Sequence, residues 1–81
     1  MDAAKVREDL RTFIARTLIR DAAYPLRDDE PIITGGLIDS FALAELAVFI
    51  EREWQIYIPD PDLTVERMNT LDQIVGRVMS G

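Results

Sequence analysis

Residues 35–54 read Gly35-Gly36-Leu37-Ile38-Asp39-Ser40-Phe41-Ala42-Leu43-Ala44-Glu45-Leu46-Ala47-Val48-Phe49-Ile50-Glu51-Arg52-Glu53-Trp54. A glycine pair makes a flexible turn, and an apolar helical pattern starts directly behind it. Leu43, Leu46, Ala47, Ile50 and Trp54 fall at offsets 0, 3, 4, 7 and 11, one stripe of a helix facing a core. The spacing predicts a helix from about Ser40 to Trp54. It ends before Ile56-Tyr57-Ile58-Pro59, because Pro59 biases the residue before it away from helix.

Helical patterns continue on both sides. From Ala3 to Arg20, Val6, Leu10, Phe13, Ile14 and Thr17 recur on one face, with Asp2 placed to cap the start. Arg16 and Arg20 suit the negative C-terminal end of that helix. Residues 21–39 form a long connection, punctuated by Pro25, Pro31, Gly35 and Gly36. Leu26, Ile32, Ile33, Leu37 and Ile38 give it side chains to bury, so it reads as a packed segment. A short helical turn is expected over Leu63 to Met68, capped by Thr64. A last helix runs from Thr70 to about Met79, where Thr70 and Gln73 have capping-box spacing. The fold class is therefore all-α: a small four-helix bundle, three main helices plus one short helix, with a long loop between helices 1 and 2. The expected core is Leu10, Phe13, Leu46, Ile50, Trp54, Ile58, Leu71 and Ile74.

At 81 residues the chain is expected to be a single domain, residues 1–81, near the size where one core only just suffices. With 48% hydrophobic and 30% charged residues it reads as globular, not disordered. It has no Cys, hence no disulfide framework or thiolate metal site, and no His, the commonest general base. The N-terminus lacks the apolar core of a signal peptide, and the longest mostly apolar run, Phe41 to Ile50, is too short to span a bilayer. A cytoplasmic protein without a membrane span is expected. Net charge is −6, unevenly spread. Residues 1–20 carry five cations against three acids, a net +2, while residues 21–81 carry four against twelve, a net −8. That sign disfavours nucleic acid and would steer basic protein partners, although a solvated face that keeps a small protein soluble explains the charge more simply.

Ser40 sits in the first turn of the second helix, directly after Asp39. A hydroxyl there is exposed, fixed in place and surrounded by backbone N–H groups that favour a negative group. This suits a hydroxyl that will carry a phosphodiester. It suits a self-activating nucleophile poorly, since no His or Cys is present to assist, and no catalytic residue is assigned. The acids Asp28, Asp29, Glu30 and Asp39 lack calcium-loop spacing and read as solvated loop charge, so no metal site is assigned either. Phe41, Ala44 and Val48 lie at offsets 0, 3 and 7 on a face beside the core stripe, flanked by Glu45, Glu51 and Arg52. Two readings stay open. The helix is broadly buried in a small bundle, with Phe49 packed on the first helix, or this face is an exposed apolar patch that docks onto other proteins.

Asp39-Ser40-Phe41, followed by Glu45, Leu46, Ile50, Trp54 and Ile58-Pro59-Asp60, resembles the acyl carrier protein family. In that family Asp-Ser-Leu opens helix 2 and a short isoleucine-proline element follows it. The tail Asn69-Thr70-Leu71-Asp72-Gln73-Ile74-Val75 is similar to the family's last helix and the threonine turn before it. Most of the chain is covered, with residues 21–34 the least diagnostic part.

The resemblance implies a carrier bundle with no chemistry of its own. A phosphopantetheinyl transferase would join 4'-phosphopantetheine from coenzyme A to Ser40, with Asp39 part of the attachment site, making the chain a phosphoprotein. The arm's thiol would hold an acyl or aminoacyl thioester. A loading ligase or acyltransferase and downstream biosynthetic enzymes would be the partners, reading Phe41, Ala44, Glu45, Val48 and Glu51. Gly-Gly-Leu-Ile-Asp-Ser is more similar to D-alanyl carrier proteins and carriers of specialised pathways than to the fatty-acid type, which commonly shows Asp-Leu-Gly-x-Asp-Ser and a row of acids along helix 2. Short termini without a fused catalytic domain lead to the expectation of a free-standing monomer. The alternative from another class is an unmodified helical interaction module using the helix 2 surface.

Overall fold

Four α-helices and no strand make up the fold in a computed structural model that describes residues 1–81. Helix α1 spans Ala3–Phe13 and runs on as a π-helix over Ile14–Ile19. Helix α2 spans Ala42–Trp54; a 3-10 turn at Asp60–Asp62 leads to the short α3, Val65–Met68, and α4 spans Leu71–Met79. No helix is long and apolar enough to cross a membrane.

Local chemistry explains where most of these elements begin. The Asp2 carboxylate accepts from the Ala4 amide at 3.0 Å and opens α1. Thr64 caps α3 through the Arg67 amide. Thr70 and Gln73 form a reciprocal capping box at α4: the Gln73 amide donates to Thr70 Oγ1, and Gln73 Oε1 accepts from the Thr70 amide, both at 3.1 Å.

The core is wholly apolar and joins every main element. Val6, Leu10 and Ile14 from the first helix meet Leu43, Leu46 and Ile50 from α2, with Met68 beneath and Leu71, Ile74 and Val78 from α4. Of the expected core, Leu10, Leu46, Ile50, Ile58, Leu71 and Ile74 are buried. Phe13 and Trp54 are only half-buried. They form an aromatic column along the α1–α2 seam with Phe49, which stacks on Phe13 at 4.1 Å between ring centroids and meets Trp54 edge-on at 5.6 Å. Large rings can seal a core with one face while the other stays wet. Thr17, expected on the core face, is exposed. The wider π turns shift the residues after Ile14 relative to the α-helical stripe: Ala15 is buried, and Leu18 and Ile19 pack against the core.

The long connection is packed, as its apolar residues imply. Leu26, Ile32 and Ile38 belong to the core. Asp28 and Glu30 are not the solvated loop charge expected of them. Asp28 accepts from Arg11 Nη2 at 2.8 Å and pairs with Arg7 at 3.3 Å, and Arg7 also reaches Asp72 on α4 at 2.6 Å. Arg11 further donates to the Leu26 carbonyl, and the Tyr24 hydroxyl donates to Glu30. The loop is thereby tied to both α1 and α4.

Candidate functional site

Ser40 is exposed on a backbone held on both sides. Ile38, two residues before it, and Leu43, three after, are both core residues. Between these anchors the chain makes one tight turn. The Ala42, Leu43 and Ala44 amides donate to the Asp39, Ser40 and Phe41 carbonyls, each at 3.2 Å. The Asp39 carboxylate accepts from the Ala42 amide at 3.1 Å, so it caps the turn that feeds α2. The hydroxyl of Ser40 takes no part in the protein's side-chain hydrogen bonds, and the Ser40 and Phe41 amides donate to no protein group. Ser40, expected in the first turn of the helix, thus lies in the turn just before α2, whose own first three amides are committed, and the two free amides of that turn offer donors to an anion.

The glycine turn before it is shaped by close approach and by backbone angle. A Cβ on Gly35 would sit 2.3 Å from the Pro31 carbonyl oxygen, and Gly36 has φ +83°. Together they let the chain fold back so that the Leu37 and Ile38 amides both donate to the Ile32 carbonyl, at 3.0 and 2.9 Å. Asn69, at the junction of α3 and α4, clamps this turn from the far side. Its side-chain oxygen accepts from the Ile33 and Thr34 amides at 3.0 and 3.1 Å, its Nδ2 donates to Thr34 Oγ1, and its carbonyl accepts from the Ile32 amide at 2.8 Å. Sequence reasoning gave Asn69 only a place in a motif. The clamp joins residues 35 apart, a contact with no local signature.

Phe41, Ala44 and Val48 are exposed, with Phe41 at 84% and Val48 at 56%. The open choice between burial and exposure for this face is thus decided for exposure. Glu45 and Glu51 are exposed on the same helix and form no ion pair. Phe49 packs on the first helix, as the competing reading had it, so both features coexist on different faces of α2. Tyr57, 69% exposed, extends the apolar surface and was not singled out from sequence. The alternation Ile56-Tyr57-Ile58 carried the signal, since a period of two turns the isoleucines inward and the tyrosine out. A shallow recess of about 200 Å³ lies between Ala44 and Val48 on one wall and Tyr57 and Leu63 on the other.

The electrostatic shifts in the connection before the site have local causes. The Arg11 hydrogen bond, helped by Arg7, holds the Asp28 carboxyl below its ordinary value. The Tyr24 hydroxyl does the same to Glu30 and is itself pushed up by that carboxylate. No group of three or more His, Cys, Asp or Glu side chains is arranged to hold a metal ion. No protein-family model matches the chain, and no curated protein matches it.

Proposed function

We propose that this chain is a carrier that holds an acyl or aminoacyl group as a thioester on a 4'-phosphopantetheine arm joined to Ser40, and presents it to biosynthetic enzymes. The observation that carries the reading is an exposed serine hydroxyl free of internal partners, on a backbone anchored on both sides, in the turn just before α2 where the Ser40 and Phe41 amides are also free. A modifying enzyme can reach such a hydroxyl without disturbing the fold, and the free amides favour the diester charge left behind. The motif resemblance around Asp39-Ser40 supplies the identity of the group.

Each neighbouring residue has a role in this reading. Asp39 caps the turn and so helps to hold the Ser40 backbone in place. Ser40 is the acceptor hydroxyl for a phosphopantetheinyl transferase. Its oxygen bonds to the pantetheine-bearing phosphorus of coenzyme A, the diphosphate bond breaks, and adenosine 3',5'-bisphosphate leaves with the hydroxyl proton released. When attached, the arm supplies the thiol that the cysteine-free chain lacks. Tethering raises the effective concentration of cargo at each partner without requiring tight docking. Phe41, Ala44 and Val48 give partners an apolar contact, while Glu45 and Glu51 guide encounter. The chain itself performs no catalysis.

Incubation with coenzyme A and a permissive transferase, followed by intact mass, tests the proposal. One phosphopantetheine increment is expected, and an unmodified mass rejects it. The exposed Phe41, Val48 and Tyr57 also favour a second reading, an unmodified interaction module. That reading gains if the mass stays unchanged while the patch still binds a partner.

A further inference from the structure

Ser40 sits in a turn with two supports of different kinds. On the C-terminal side the Asp39 carboxylate caps the turn locally, through the Ala42 amide that begins α2. On the N-terminal side lie residues 32–38, which form no helix or strand. Ile32 and Ile38 anchor this segment in the core, and every hydrogen bond that leaves it ends on Asn69. The Ile32 amide donates to the Asn69 carbonyl, the Ile33 and Thr34 amides to its side-chain oxygen, and Asn69 Nδ2 to Thr34 Oγ1. Asn69 is itself fixed from α4. Gln73 Oε1 accepts from the Asn69 amide at 2.9 Å, and Gln73 Nε2 donates to the Glu66 carbonyl of α3 at 2.8 Å. Neither bond belongs to the capping box, which needs only the contacts with Thr70. They lock the junction of α3 and α4 and so fix the place from which Asn69 reaches the turn.

We infer that Asn69 is a positioning residue for the modification of Ser40, acting through residues 32–38. The inference rests on the carrier reading above and extends it to a residue outside the attachment motif. In the transfer the Ser40 oxygen must approach phosphorus in line with the bond that breaks, so the rate depends on where the backbone holds that oxygen. Ile38, the last residue of the held segment, lies two positions before Ser40. One planar amide serves this segment as acceptor for two backbone donors and as donor to a hydroxyl, a combination that no aliphatic or hydroxyl side chain offers. Without it the N-terminal support of the turn is released, while α2 keeps its own hydrogen bonds. Ala44 and Val48, the partner contacts within α2, therefore keep their places. The loss falls on turnover and not on docking.

The test is steady-state kinetics of a permissive transferase with coenzyme A and full-length wild type, Asn69→Ala, Asn69→Asp or Val78→Ala, at a temperature where circular dichroism shows each folded. Asn69→Ala should lower kcat by roughly 10- to 100-fold, with KM for the carrier near that of wild type. Asn69→Asp keeps the oxygen that accepts both amides and should recover most of the rate. Val78→Ala truncates a core residue of α4, which weakens the fold without touching the turn, and should leave kcat unchanged. Thr34→Val removes only the hydroxyl that accepts from Asn69; it is the milder variant should Asn69→Ala prove unfolded, and its kcat should fall by a smaller factor. Hydrogen exchange gives a reading independent of the transferase. The Leu37 and Ile38 amides should exchange faster in Asn69→Ala, while those inside α2 keep wild-type rates. A folded Asn69→Ala with wild-type kcat, or a loss that falls on KM alone, would overturn the role of Asn69 and leave the carrier reading intact. So would a Val78→Ala protein that loses as much rate as Asn69→Ala. Wild type that accepts no group overturns both, and that result is visible before any variant is compared.

Discussion

Replacing Asn69 by alanine should loosen the turn that presents Ser40, because this one side chain holds three contacts across the fold. Two backbone amides, of Ile33 and Thr34, donate to its oxygen, and its own nitrogen donates to Thr34 Oγ1, all at 3.0–3.1 Å. A net hydrogen bond contributes about 0.5–1.5 kcal/mol, and an amide left without a partner away from water costs more. Thr34 is exposed and can turn to water, whereas Ile33 is half-buried and cannot do so freely. The sum is a loss of about 1.5–3 kcal/mol. In a domain of this size that lowers the melting temperature by on the order of 10 °C. Urea unfolding followed by circular dichroism measures it, with an unchanged slope expected because the surface exposed on unfolding stays the same. Asn69→Asp keeps the acceptor for both amides and loses only the donor, so it should cost less than alanine. A loss for Asn69→Ala within about 0.5 kcal/mol, the range of ordinary surface changes, would mean that the clamp does not hold the turn.

Ile50 is fully buried in α2, and Ile50→Ala should cost about 2–5 kcal/mol in the same denaturation experiment; a near-neutral result would contradict the core packing. Val48→Asp should fold normally because Val48 is 56% exposed, yet weaken transfer to a partner enzyme by placing a charge in the docked apolar contact. Glu45→Lys should instead slow association and change its salt dependence, which stopped-flow binding at several ionic strengths would read. Acid should weaken the fold in a way that traces to Asp28. Its carboxyl lies below its ordinary value in the folded chain because Arg11 donates to it, so its contribution is complete above about pH 4 and is lost as pH falls further. Asp28→Asn should therefore be less stable than wild type at pH 7, with the difference closing toward pH 3; a constant difference would remove the Arg11 contact from the explanation.

What could be read from the sequence was the local chemistry. Asp2, Thr64 and the Thr70–Gln73 pair cap helices where their types and spacing implied, and the stripe Leu43, Leu46, Ile50 turned inward as its period required. Exposure of Phe41, Ala44 and Val48 was legible only as one of two possibilities, because a small bundle can bury a wide helical face. The π-helix was not legible. No glycine or proline in residues 14–19 announces its wider turns, along which Ile14 is buried in the core and Leu18 packs against it. The same holds for contacts between distant residues. Arg7 meets Asp72 across 65 positions, and Asn69 meets Thr34 across 35; neither pairing leaves a periodic trace. Asp28 and Glu30, which looked free, were therefore committed while Asp29 stayed exposed, and the clamp behind Ser40 emerged only with the fold.

The central claim is that Ser40 carries the group. Wild type, Ser40→Ala and Ser80→Ala should be incubated in parallel with coenzyme A and a permissive transferase, then weighed intact by mass spectrometry, with thermal melts alongside. Ser80 is a suitable control, being exposed at the end of the last helix with its hydroxyl donating to the Arg77 carbonyl. Wild type and Ser80→Ala are expected to gain a single phosphopantetheine, and Ser40→Ala to melt like wild type and gain none. A modified Ser40→Ala protein, or a wild type that stays at its unmodified mass, would contradict the claim.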